Sequence, residues 1–339
     1  MSLTDYKKKE LRQQVLDEPD TFVGGTDSIE EQLPLFVNDK ISVQSCQLIP
    51  AILKLFDEIL VNARDQQVRL DIARLSGDSS ILPVTDIRVE FEESSQIWSI
   101  YNNGNGIDVA THPTETTSDG QPIWIPELIL GELLTSKNYN QKGKTTGGKN
   151  GFGAKLVNLF SSWFSVETVD HIRGLKYTQI FETNMTAKHK PQVKQSKVKP
   201  YTKISWKIDF PRFQITSYSQ DMISLLHRRV YDIAGITHKK VNVYYNKEKI
   251  KVKSFESYVK LYLTKEPLVY EQCNDRWEIC VCSSTTDKYE HYSFVNGIFT
   301  SKGGKHVDMV TKKITSGIQD YIQKKHKKKV PESYIKHHL

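Results

Sequence analysis

Cysteine is scarce in this chain: four in 339 residues, Cys46, Cys273, Cys280 and Cys282, with no CxxC pair. That count excludes a disulfide-stapled scaffold. Long apolar runs are missing too. No stretch approaches the roughly 18 uninterrupted apolar residues of a membrane span, and the opening MSLTDYKKKE has neither an apolar signal core nor a cleavage site. The expectation is a soluble, intracellular chain with no membrane partner. With 38% hydrophobic and 26% charged residues the composition is that of a folded protein, and at about 150 residues per domain the length suggests two domains. What the chain does have in excess is local positive charge. Residues 186–203 hold six lysines and no acid, and residues 321–339 hold six lysines against Glu332, so these two stretches exceed the whole net surplus of +7. Such runs are solvated surface in most proteins and contacts to phosphate backbones in some.

Helical periodicity is strongest after Pro50, where Ile52, Leu55, Phe56, Ile59, Leu60 and Ala63 recur at helical spacing and the pattern runs to about Arg74. A shorter helical pattern stops before Pro19, and the stretch from there to Pro50 reads as loop. The alternating runs 86–91 and 97–102 predict an antiparallel hairpin. Residues 111–122 read as loop, 126–134 as a short helix, and the polar, glycine-rich stretch 135–155 as a lid or binding loop. A helix over 154–164, strands at 164–169, 175–182 and 202–210, and a helix over 219–234 follow. A further mixed unit begins near 240–250, with strands at 277–284 and 291–297 and a helix over 308–325.

Three local patterns carry chemistry. Glu58, Asn62 and Asp65 stand at i, i+4 and i+7, so they form one polar stripe opposite the apolar face of their helix. YNNGNGI (101–107) sets Asn102-x-Gly104-x-Gly106 directly after a strand; glycines let backbone approach a ligand, and an asparagine amide both donates and accepts toward a purine edge. GGKNGFGAK (147–155) is a glycine-rich loop entering a helix, whose free N–H groups, together with Lys149 and Lys155, suit a polyphosphate. Each pattern alone also fits an ordinary feature: a solvated helix face, an Asn-Gly turn, a linker. A P-loop does not fit, because GKTT at 143–146 requires a glycine at 138, where Asn138 stands.

In this order the three patterns resemble the Bergerat ATP-binding fold of the GHKL superfamily, which includes type II topoisomerases, MutL proteins, heat-shock chaperones and histidine kinases. Longer segments are more specific. LKLFDEILVNARDQ (53–66), PELILGELLTSKNY (126–139), TGGKNGFGAKLVNLFS (146–161), RRVYDIAG (228–235) and SFVNGIFTSKGGKHVD (293–308) look like the eukaryotic-type DNA topoisomerase II family in sequence and order, cellular or from a large DNA virus. The resemblance implies an α+β fold: an N-terminal strap at 1–25, a Bergerat sandwich of helices on a mixed sheet at 26–245, and a partial α/β transducer domain at 246–339.

It also implies roles. Glu58 corresponds to the general base that polarises water for attack on the γ-phosphate of ATP. Asn62 matches the Mg²⁺ ligand, Asn102 the adenine-reading residue, and Asp65 a support for that pocket, with Gly104 and Gly106 beside it. Ser136, Lys137 and Asn138 occupy the nucleoside-contacting lid, Lys137 replacing a serine. Gly148, Lys149, Asn150, Gly151, Phe152, Gly153, Ala154 and Lys155 match the phosphate loop, Phe152 replacing a tyrosine. Tyr6 matches a strap tyrosine that reaches the other subunit of an ATP-promoted homodimer. Lys324, Lys325 and Lys327 fall where a basic loop faces captured double-stranded DNA, a sequence-independent contact. The family's Gln-Thr-Lys loop does not occur between residue 240 and Leu339, and the DNA-cleaving region is absent, so the expectation is a fragment or an ATPase module that ends early, acting in a nucleus or at a viral replication site. Another GHKL ATPase such as a MutL-like protein would account for the pocket but not for SFVNGIFTSKGGKHVD. A nucleotide-dependent clamp or DNA-binding module would use ATP only to order its lid.

Overall fold

The helix predicted after Pro50 is the organising element of the chain. In a computed structural model, which describes residues 9–133, 153–263, 267–284 and 288–339, it runs over Pro50–Leu75 (α2) behind α1 (Leu11–Asp17) and a hairpin of β1 (Ile29–Val37) and β2 (Lys40–Leu48). Pro50 opens α2 at a position where a missing N–H costs nothing. Its apolar face packs Phe56 edge-on to Trp98 at 5.0 Å and against Trp206 at 6.1 Å, all three buried.

Those tryptophans lie on a nine-stranded mixed sheet. Its chain order begins with β3 (Asp86–Glu92) and β4 (Ile97–Asn103), continues after the small hairpin of β5 (Thr111–Thr116) and β6 (Pro122–Trp124) and after helices α3 (Ile125–Gly131) and α4 (Gly153–Leu159), and resumes with β7 (Ser161–Val169), β8 (Leu175–Glu182), β9 (Ala187–Lys188), β10 (Gln192–Gln195) and β11 (Tyr201–Ile208). Helix α5 (Gln220–Ile236) leads to β12 (Asn242–Tyr245) and β13 (Glu248–Lys249), and the spatial order is β10-β8-β7-β11-β4-β3-β12-β13 with β9 beside β8. Among the described residues only the β12–β3 pairing is parallel. Side chains alternate across this sheet. Trp98, Ile100 and Asn102 of β4 face the helices, whereas Ser99 meets Ser205 of β11 at 2.8 Å on the other face, where Tyr101 stacks on Tyr201 and Arg88 lies over Tyr101 and Tyr244.

Beyond the sheet come α6 (Phe255–Val259), the hairpins β14 (Leu268–Asn274)–β15 (Trp277–Cys282) and β16 (Phe294–Val295)–β17 (Ile298–Phe299), then α7 (Lys305–His326) and α8 (Glu332–His337). Among the described residues no helix is long and apolar enough to cross a membrane.

Three sequence expectations are corrected. The stretch before Pro50 is not loop but the β1–β2 hairpin, turned by Asn38 and Asp39 at φ 51° and 60°, the paired left-handed residues of a tight hairpin. Its strands are mostly solvent-facing and lack a clean alternation, so their pattern was faint. What fixes the hairpin is packing on α5: Phe36 stacks on Tyr231 with ring centroids 3.8 Å apart, and His227, pushed down to about 4 by burial, packs as a neutral ring on Tyr245. The 111–122 loop contains β5 and the start of β6. The helix expected to reach Phe164 ends at Leu159, where Ser161 turns its hydroxyl back to donate to Val157 O at 2.6 Å and its backbone joins the ladder with β11. Pairing with a strand forty residues away overrode local helical preference there.

Candidate active site

The polar stripe of α2 faces the end of β4 and the start of α4. Glu58 is partly exposed and forms an ion pair with Lys54 one turn earlier. Asn62 is half-buried, and Asp65 is 2% exposed, with Arg64 Nη1 3.6 Å from its carboxylate. Burial holds Arg64 below the ordinary arginine value, and the charge of Asp65 offsets part of that. Asp65 is thus a buried member of the stripe, where the sequence pattern allowed a solvated one.

Glu58 meets the glycine-rich segment directly. A Cβ built on Gly153, the first residue of α4, would lie 2.0 Å from Glu58 Oε2 and 2.9 Å from Cδ. A side chain at 153 would displace this carboxylate from the helix start. Ala154 packs against the core, and Lys155 is 1% exposed. Burial pushes the Lys155 ammonium down to about 8, with Glu132 opposing the shift. A lysine held this way is favoured in its charged form by any polyanion placed beside it.

Asn102 is 7% exposed on the helix-facing side of β4, and its amide donates to Asn103 O at 2.9 Å. Thr202 of β11 stands opposite it in the ladder, a placement that no sequence spacing discloses. The other asparagines of YNNGNGI serve structure. Asn103 Oδ1 accepts from Thr85 N and Asp86 N at 2.8 and 3.0 Å, and Asn105 Oδ1 accepts from Leu82 N at 2.7 Å. Gly104 (φ +115°) and Gly106 (φ +73°) make close approaches to the protein's own chain: added Cβ atoms would lie 2.9 Å from Leu70 Cδ1 and 2.0 Å from Val169 O. Asn158 of α4 donates to Leu130 O of α3 at 3.0 Å, tying together the two helices that flank the glycine-rich segment.

Glu58 and Gly153 therefore meet, with Asn62 and Asp65 along the same helix as Glu58 and the buried Lys155 two residues after Gly153 on α4. Lys324 and Lys325 sit in the exposed last turn of α7 and Lys327 at its left-handed cap (φ 55°), with Lys325 Nζ donating to Tyr321 Oη at 2.6 Å. Tyr6, Ser136, Lys137, Asn138, Gly148, Lys149, Asn150, Gly151 and Phe152 lie outside the described residues. No group of three or more His, Cys, Asp or Glu side chains able to hold a metal occurs among the described residues.

With this geometry in place, comparison with known proteins is decisive. A family model described as DNA gyrase B matches residues 237–339. The 43K ATPase domain of gyrase B from Thermus thermophilus shares the fold, with a TM-score of 0.56 at 19% identity over 94% of this chain and 75% of that one. The fold is therefore that of the gyrase B class. The ATPase region of Saccharomyces cerevisiae topoisomerase II is similar at 34% identity and a TM-score of 0.87, covering 99% of this chain and 84% of that one, and the ATPase and transducer domains of DNA topoisomerase II from Balamuthia mandrillaris at 34% and 0.88, covering 100% and 84%. In sequence the chain is 39% identical to DNA topoisomerase 2 of Arabidopsis thaliana and 36% identical to that of Acanthamoeba polyphaga mimivirus, over 98% of its own length in each case. It spans 22% and 26% of those two relatives. The chain belongs to the eukaryotic-type DNA topoisomerase II family and corresponds to its ATPase region.

Proposed function

We propose that this chain binds ATP between α2 and the start of α4 and hydrolyses it, as the nucleotide-operated gate of a type II topoisomerase. The observation that carries the reading is the meeting of Glu58 with the unsubstituted backbone of Gly153, which sets a carboxylate against the start of α4, and a helix start suits a terminal phosphate. Glu58 then accepts a proton from the water that attacks the γ-phosphorus, and the ion pair with Lys54 orients the carboxylate. Lys155 supplies buried positive charge to the phosphates. Asn102, at the floor of the sheet, reads the adenine edge, and Asp65 supports that pocket. The donor set fits Mg²⁺ only as a partner of the nucleotide, because Asn62 offers one neutral oxygen and this ion keeps several waters and phosphate oxygens as ligands. Bound with ATP, Mg²⁺ would neutralise phosphate charge. We assign residues 1–25 to a strap, 26–245 to the ATPase domain and 246–339 to a transducer, a division supported by the end of the nine-stranded sheet at Lys249. Tyr6 and the strap would exchange between subunits of an ATP-promoted dimer that closes around duplex DNA. The test is ATP turnover by the purified chain alongside binding of a non-hydrolysable analogue; a chain that binds neither nucleotide overturns the reading.

Two further outcomes are expected. The first concerns Lys155. An unfolded lysine titrates near 10.5 and this one near 8, so below pH 8 both states are protonated and the folded state bears the cost of the buried charge. That cost is relieved as pH rises from 8 to 10.5, and stability rises with it. Phosphate beside the ammonium restores its affinity for the proton, so analogue binding at pH 8.5 should take up a proton. Calorimetry in buffers of different ionisation enthalpy should detect uptake that Lys155→Met abolishes; equal uptake in both proteins removes Lys155 from the phosphate site. The second concerns Lys324, Lys325 and Lys327. Replacing all three by alanine should weaken duplex binding irrespective of sequence and lower the magnitude of the slope of log K against log salt by up to about 2.7, with nucleotide affinity unchanged. Unaltered DNA affinity at low salt would leave these lysines as partners of the helix dipole and shift attention to 186–203.

A further inference from the structure

Arg228, Arg229 and Asp232 of α5 are each 1% exposed or less, and their ion pairs run to one another and to Asp57, beside the nucleotide-facing stripe. Burying charges gains little stability over a well-packed apolar substitute, so their value lies in direction, and the contacts of Arg229 have three directions. Its Nε donates to Asp57 Oδ1 on α2 at 2.8 Å, its Nη1 to Asp232 Oδ2 on its own helix at 2.6 Å, and its Nη2 to Gly297 O, at the tip of the β16–β17 hairpin, at 3.4 Å. Asp57 immediately precedes Glu58. The hairpin tip continues along the same face of α2: a Cβ on Gly297 would lie 3.6 Å from Val61 Cγ1 and 3.1 Å from Arg64 Cδ. Asp57, Val61 and Arg64 stand at i, i+4 and i+7, one stripe of the helix, and Glu58, Asn62 and Asp65 form the stripe next to it, about 100° around. The far side of the clamp is fixed as well. Tyr258 Oη of α6 donates to Asp232 Oδ1 at 2.7 Å, and Arg228 lies over the Phe299 ring at 4.5 Å.

Resting on the ATPase reading above, we infer that Arg229 is a positioning residue: it locks the rotation of α2, and with it the Glu58 carboxylate, to the position of the 294–299 hairpin. A guanidinium can make these three bonds at once because its donors form a rigid planar fork; an ammonium keeps the charge but cannot span Asp57, Asp232 and a carbonyl together.

The experiment compares Arg229→Lys with Arg228→Lys, whose side chain reaches Asp232 and Phe299 but not α2. For Arg229→Lys, turnover at saturating ATP should fall about ten-fold or more while the Kd for a non-hydrolysable analogue stays within about two-fold; for Arg228→Lys turnover should stay within about two-fold. Hydrogen exchange is the second readout: the analogue should protect residues 294–299 in the wild type and fail to do so in Arg229→Lys. Equal turnover losses in the two variants, or the same protection in Arg229→Lys as in the wild type, overturn the inference and reduce the cluster to structural support. Should Arg229→Lys not fold, Asp57→Asn releases the same grip from its partly exposed end and should reproduce the rate loss; turnover by Asp57→Asn within about two-fold of the wild type then overturns the inference. A wild type that binds nucleotide without turning it over defeats the hydrolytic reading, and the exchange measurement still decides the role of Arg229.

Discussion

Glu58→Gln should abolish most ATP turnover and leave nucleotide bound. General-base catalysis contributes about 10²–10⁴-fold, and glutamine keeps the shape of the side chain beside Gly153 while losing the ability to take a proton. Steady-state turnover should fall within that range, and the Kd of a non-hydrolysable analogue, measured by titration, should move by less than about three-fold, corresponding to about 0.6 kcal/mol. Loss of the Glu58–Lys54 ion pair should matter little to folding, because Lys54 is about half exposed. The result separates an enzyme from a clamp that uses ATP only for binding. Turnover near the wild-type rate would assign the base elsewhere.

The second large effect concerns stability. Asp232→Ala removes the one carboxylate that serves both Arg228 and Arg229, at 3.3 and 2.6 Å, and the acceptor of the Tyr258 hydroxyl. Burial opposes the charge of Arg229, but Asp57 and Asp232 outweigh it and hold that side chain above the ordinary arginine value. Without Asp232, Arg229 keeps Asp57, while Arg228 loses the ion pair it has among the described residues. Breaking a buried pair by removing one partner costs about 3–5 kcal/mol, which at roughly 2–4 °C per kcal/mol lowers Tm by the order of 10 °C. Removing the exposed i,i+4 pair Lys260–Glu256 should cost no more than about 0.5 kcal/mol. Calorimetry on the two variants gives the comparison; equal melting temperatures would mean that the cluster is solvated.

The two expectations draw on different kinds of information. Glu58 was legible because its signal is local: helical spacing from Ile52 to Ala63 sets one face of α2 inward and the 58/62/65 stripe outward, whatever else the chain does. The β3–β4 hairpin was legible for the same reason, since period-two alternation on both sides of a short polar turn names its own partner. The long segments shared with the topoisomerase II family carried the fold and the order of its parts.

Asp232 was not legible in this way. In RRVYDIAG, arginines three and four residues before an aspartate carry no local sign of burial, and the 294–299 hairpin, some sixty residues later, and Tyr258 pack against them. The β1–β2 hairpin and the end of α4 at Leu159 share this cause: mostly exposed strands and a serine-rich helix end carry weak local preference, so partners distant in sequence set their structure. The sequence by itself determined the elements whose hydrophobic period is satisfied within one segment, and the residue types of the 58/62/65 stripe. Tertiary structure alone decided which charges are buried, which glycines face a carboxylate and which face the protein's own chain, and that the stripe beside Glu58 is held by a hairpin from the far end of the chain, because burial is a property of what covers a residue and not of the residue itself.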